Sequence, residues 1–104
     1  MNRAMMIQRI FASIMGVATV TIGILKFLSI VNIPTLDALI HIITGIIFIA
    51  GAWMQKGKHV RMTNLYLGAF YILFGIIGNF NWPHIIAGII SVVISLAFRT
   101  SKAI

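Results

Sequence analysis

Four long apolar runs separated by short polar breaks fix what this chain can become. Each run approaches the about 20 residues that an α-helix needs to cross a hydrocarbon core. They read as helices over about 10–31, 36–53, 64–80 and 83–98. Backbone exposed to lipid must satisfy its own hydrogen bonds, so helices are the form such runs take. The expected fold class is all-α: an integral membrane four-helix bundle, with residues 1–104 forming a single transmembrane domain. Composition agrees, because 61% of the residues are hydrophobic and 9% are charged, whereas a soluble domain carries charge at about a quarter of its positions. The first run follows Arg3 and Arg9 as a signal-peptide core follows its basic segment. It exceeds the length of such a core, no small-x-small site closes it, and three more runs follow, so it reads as the first span.

The breaks have turn chemistry. In Asn32-Ile33-Pro34-Thr35, Pro34 cannot continue a helix and Thr35 is suited to cap the next one. Asn79-Phe80-Asn81-Trp82-Pro83 makes a second tight turn, with Pro83 in the first turn of the last helix. Between them, Met54 to Thr63 is the one strongly polar stretch, broken at Gly57.

Charge gives a direction. The formal charge of +7 comes from eight Lys and Arg against one acid, Asp37. Seven of the eight (Arg3, Arg9, Lys56, Lys58, Arg61, Arg99 and Lys102) stand at the ends of the runs, where anionic lipid headgroups hold them. That placement argues against nucleic acid as the partner and for the bilayer. All seven fall on one side, and the two short turns carry none. The positive-inside rule then puts both termini and the middle loop in the cytoplasm, an N-in/C-in arrangement in a cell inner membrane. Trp53 and Trp82 suit the two interfacial belts. With no cysteine in the chain, disulfides, thiolate metal sites and cysteine nucleophiles are excluded.

The chain also resembles itself. His41-Ile42-Ile43-Thr44-Gly45-Ile46-Ile47 recurs as His84-Ile85-Ile86-Ala87-Gly88-Ile89-Ile90, and Gly16 and Gly23 are spaced as Gly68 and Gly75 are. Two repeats are expected, about 10–53 and 64–98, each a helical hairpin. A hairpin returns to its starting side, so the repeats are parallel, related by a pseudo-twofold axis along the membrane normal. The glycine pairs are offset by 52 and the histidine motifs by 43. The first hairpin thus has nine extra residues at its outer turn, enough to extend each of its helices by about one turn.

Few side chains in the apolar runs can carry chemistry. Lys26 and Asp37 are the only opposite charges able to meet on the outer side, as a pair locking the turn or as a relay or ion-binding site. His41 and His84 occupy related depths and can face each other across the pseudo-twofold axis. Ligation of metal or haem, proton handling, and plain hydrogen bonding at a helix seam are the readings open to them. No Cys, Glu or further intramembrane His completes a closed metal site, so neither a metal nor a cofactor is expected. His59 reads as a solvated loop residue. Gly16, Gly23, Gly45, Gly68, Gly75 and Gly88, with Ser13, Ala38, Ala52, Ser91 and Ser95, form small-residue stripes of the kind that lets helices pack closely in lipid. Tyr66, Tyr71 and Asn79 add hydrogen-bonding groups whose facing the pattern leaves open.

The His-x-x-x-Gly motif opening the second helix (His41 to Gly45) and the segment Leu65-Tyr66-Leu67-Gly68-Ala69-Phe70-Tyr71 together resemble the DUF4383 family of small bacterial membrane proteins. Gly23-Ile24-Leu25-Lys26 is similar to the Gly-x-x-Lys of DoxX-like proteins, another four-helix membrane family. The resemblance implies a bacterial inner-membrane setting and brings no activity or catalytic residue with it.

Three function classes remain to be weighed. A structural or interaction protein, an accessory subunit or scaffold that packs against a membrane-protein partner or against copies of itself, accounts for the stripes and the lack of catalytic groups. A small transporter or channel, acting alone or as an oligomer, would use His41, His84, Lys26 and Asp37. An enzyme ranks last, because Asp37 alone supplies no carboxylate pair and no nucleophile stands beside a base.

Overall fold

In the computed structural model, which describes residues 3–78 and 81–98, four helices form an all-α bundle: α1 (Arg3–Phe27), α2 (Thr35–Trp53), α3 (Val60–Ile77) and α4 (Trp82–Ala97). Three of them, α1, α2 and α3, are long and apolar enough to cross a membrane. The fourth is equally apolar but has 16 residues, about 24 Å at the helical rise and short of a hydrocarbon core of about 30 Å. The outward surface is greasy on every helix. Ile14, Ile43, Leu73 and Val93 are each more than half exposed, as expected of a chain solvated by lipid.

The helix ends differ from expectation in ways that local chemistry explains. α1 begins at Arg3, not near Ile10, since its basic first turns are helical and bonded into the bundle. It stops at Phe27 because Ser29 turns left-handed (φ 61°). There Ser29 N–H donates to the Lys26 carbonyl and Ile30 N–H to the Leu25 carbonyl, both at 3.0 Å, the paired bonds of a Schellman ending. Thr35 is the first residue of α2 and not its cap; that position belongs to Pro34, and no side chain caps this end. The expected loop 54–63 shrinks to a 3-10 turn over Met54–Gly57 followed by Lys58 and His59, and α3 starts at Val60, four residues earlier than expected. His59 is exposed. Pro83 lies in the first turn of α4, and Asn81 is the cap, its side chain accepting from His84 N–H at 3.4 Å. The expected end of the third helix at Phe80, and with it Asn79, lies outside the described residues, as do Arg99 and Lys102.

Packing is closest within each hairpin, and the two hairpins make the same contacts at related positions. A Cβ added at Gly16 would meet the Gly45 carbonyl oxygen at 2.7 Å, and one at Gly68 the Gly88 carbonyl oxygen at 2.9 Å. At Gly23 it would meet Ile42 and the Ala38 carbonyl, at Gly75 Ile85 and the Asn81 carbonyl. Arg9 Nε donates to the Ala52 carbonyl at 2.7 Å, and Arg61 Nε to the Ser95 carbonyl at 2.7 Å. Every one of these pairs is related by the offsets of 52 and 43. Each hairpin is therefore antiparallel and held by backbone lying against backbone, the arrangement that small residues permit in lipid. The extra outer length of the first hairpin is shared unevenly: four residues lengthen α2, two lengthen α1 and three lengthen the connection. Between the hairpins sits a small core of Ala12, Phe48, Ala52, Val60 and Tyr71.

Candidate functional site

His41 and His84 meet where the hairpins join, and local structure aims both rings. His41 is the seventh residue of α2, nearly two turns in, and its Nδ1 is 2.7 Å from the Asp37 carbonyl oxygen. A carbonyl only accepts, so Nδ1 carries the proton and the lone pair resides on Nε2. His84 is the third residue of α4, in its first turn behind the Asn81 cap and Pro83. The two imidazoles are edge to face with centroids 5.0 Å apart. Tyr71 stacks on His84 at 5.7 Å, and Phe74 meets it edge-on at 5.1 Å. Both His84 ring nitrogens are buried without a hydrogen-bond partner.

A second chain of bonds runs parallel to the first. Thr44 Oγ1 donates to the Ile40 carbonyl at 2.7 Å, so in its contact with Tyr71 the tyrosine hydroxyl is the donor. Both chains end on carbonyls of α2. The His41 Nδ1 and Thr44 protons are thereby spent on the helix backbone and the Tyr71 proton on Thr44 Oγ1, while lone pairs on His41 Nε2 and Tyr71 Oη remain. The rings border a cavity of about 200 Å³ whose other walls are Met15, Ala18, Thr19 and Ile22 of α1 and Pro83 and Ala87 of α4.

The opposite end of the bundle is closed. Gln8 Nε2 donates to the Ile94 and Phe98 carbonyls, each at 2.8 Å, tying α1 to α4. Asn64 Nδ2 donates to Gln8 Oε1 at 2.6 Å and to the Gln8 carbonyl at 3.2 Å, tying α3 to α1. Ser91 donates to the Asn64 carbonyl at 2.7 Å. Gln8, Asn64, Ser91 and Ser95 have no exposed surface. Asn64 Oδ1 is the one acceptor of this group left without a partner.

Lys26 and Asp37 do not pair. They sit in the last turn of α1 and the first turn of α2, where each charge complements its own helix dipole, and no ion pair joins them. A Schellman ending and seven connecting residues, 28–34, stand between the two helix ends. The six packing glycines are all buried. Tyr71 faces the bundle and Tyr66 faces outward. Trp53 lies beneath Arg9, 4.4 Å from its guanidinium carbon, and donates to Ser13 Oγ at 3.1 Å.

Sequence reasoning missed Gln8, Thr44, Asn64 and the inward bonding of Arg9 and Arg61. For the arginines a signal existed, because they are 52 apart like the glycines. Gln8 and Asn64 meet between the repeats, and no repeat pattern announces such a contact. No family model, curated protein or solved structure matches this chain.

Proposed function

We propose that this chain is a small multi-pass protein of a bacterial inner membrane, crossing four times with its basic end and both termini in the cytoplasm, that serves as a structural or interaction component and not as an enzyme. The setting rests on the excess of Lys and Arg at one end and on the resemblance of the His41–Gly45 and Leu65–Tyr71 segments to small bacterial membrane proteins. The matching hairpin contacts favour an origin by internal duplication.

The observation that carries the functional reading is the closed basic end. Gln8, Asn64, Ser91 and Ser95 are fully buried and bonded across α1, α3 and α4. A path from the His41 and His84 cavity to that end would have to break these bonds in a medium with no water to replace them. Such a bundle suits a static role: anionic headgroups bind its basic rim, and its apolar faces pack against a membrane-protein partner or a second copy. The experiment is crosslinking in native membranes from single cysteines at Ile14, Ile43, Leu73 or Val93, one exposed position per helix. A discrete crosslinked species from one face supports the reading, and only uncrosslinked chain from all four contradicts it. The second reading, a small transporter or channel, is favoured by one observation, the unpartnered His84 ring beside the cavity.

A further inference from the structure

The cavity beside His41 has an unusual polarity: it offers lone pairs and no free proton donor except the ring of His84. His41 spends its Nδ1 proton on the Asp37 carbonyl and Tyr71 spends its hydroxyl proton on Thr44. A guest must therefore bring a donor. The His84 ring holds one N–H and one lone pair, both buried and neither with a protein partner. A hydroxyl group answers both histidines, donating to His41 Nε2 and accepting from the His84 N–H once that ring turns toward it.

Size and surroundings narrow the class. The cavity measures about 200 Å³, and an apolar cavity of about 150 Å³ accommodates a benzene ring. A metal ion fits poorly in such a volume with no third His, Cys, Asp or Glu beside the pair among the described residues. A cationic amine would lose its hydration in exchange for one carboxylate that lies outside the cavity wall, a poor trade in lipid. Met15, Ile22 and Ala87 supply apolar walls, and Tyr71 supplies a flat face. We propose that this cavity binds a small neutral molecule with one hydroxyl on an apolar, ring-sized body, a phenol or comparable alcohol that arrives through the bilayer.

Purified protein in phosphatidylethanolamine/phosphatidylglycerol nanodiscs is titrated with 4-propylphenol and with 4-propylanisole, which keeps the ring and loses the O–H donor. Empty nanodiscs set the partition background. The expected result is saturable binding of one phenol per chain, about tenfold tighter than the anisole. That preference should vanish in His41→Leu, and binding of both probes should vanish in Ala87→Phe, which fills the cavity. Helical circular dichroism checks each variant, and the comparison of the two probes on the unaltered protein stands whether or not a variant folds. Uptake no greater than in empty nanodiscs, equal affinity for the two probes, or an unchanged preference in a folded His41→Leu protein overturns the proposal.

Discussion

Arg61 reaches across the second hairpin and donates its Nε proton to the Ser95 carbonyl at 2.7 Å, at a position where 7% of the residue is exposed. The carbonyl belongs to the last turn of α4, so the guanidinium satisfies an orphan acceptor and complements the negative end of the helix dipole. Arg61→Ala removes a charged hydrogen bond from a buried site and should cost about 1.5–3 kcal/mol. Arg9→Ala, at the equivalent but more open site, should cost less, about 1 kcal/mol. Arg61→Lys should not restore stability, because an ammonium has no planar Nε donor. Unfolding in detergent, followed by helical circular dichroism, measures all three.

Ser29 adopts φ 61° at the end of α1, a conformation that costs a residue with a Cβ about 1–2 kcal/mol. Ser29→Gly should therefore stabilise the protein by about 1 kcal/mol. Gly57, at φ 78°, should behave in the opposite way. A Cβ there would also come within 2.7 Å of Arg9 Cδ, so Gly57→Ala should destabilise. Both shifts are read in the same unfolding assay.

A Cβ at Gly88 would lie 2.5 Å from the Gly68 carbonyl oxygen, and backbone on both sides leaves nothing free to move. Gly88→Ala should cost about 1–3 kcal/mol by overpacking. Ile14→Ala, on a lipid-facing position, should change stability by less than about 0.5 kcal/mol. The contrast between the two substitutions identifies the seam.

Gln8 and Asn64 form one buried unit. Gln8→Leu leaves the Asn64 amide with the Gln8 carbonyl as its remaining partner, takes the donor from the Ile94 and Phe98 carbonyls, and should cost about 1–3 kcal/mol. Adding Asn64→Leu to it should cost less than the sum of the single changes, because the bond between the two side chains can be lost only once. A double-mutant cycle measures the coupling, and strict additivity would argue against the bond.

Much of this fold was legible in the sequence, for reasons particular to its solvent. Apolar runs of spanning length have one outcome in lipid, and the small-residue stripes marked the faces on which Gly16 meets Gly45 and Gly68 meets Gly88, although not which residues pair. Helix ends were less legible. The end of α1 depends on Ser29 turning left-handed, and serine carries no signal for that. The expected Lys26–Asp37 pair does not form, because closeness in sequence around a turn says little about reach when seven residues connect the helix ends. His41 and His84 were marked by their repeat, whereas the direction of their hydrogen bonds depends on Asp37 and Thr44 carrying out roles that only geometry reveals.

The closed basic end is the claim on which the functional reading rests, and ion flux tests it most directly. Proteoliposomes holding a pH-sensitive dye, driven by a potassium diffusion potential, should show proton flux no greater than empty liposomes. Flux above that background, lost in His41→Ala or His84→Ala, would contradict the closed end and make this chain a conduit.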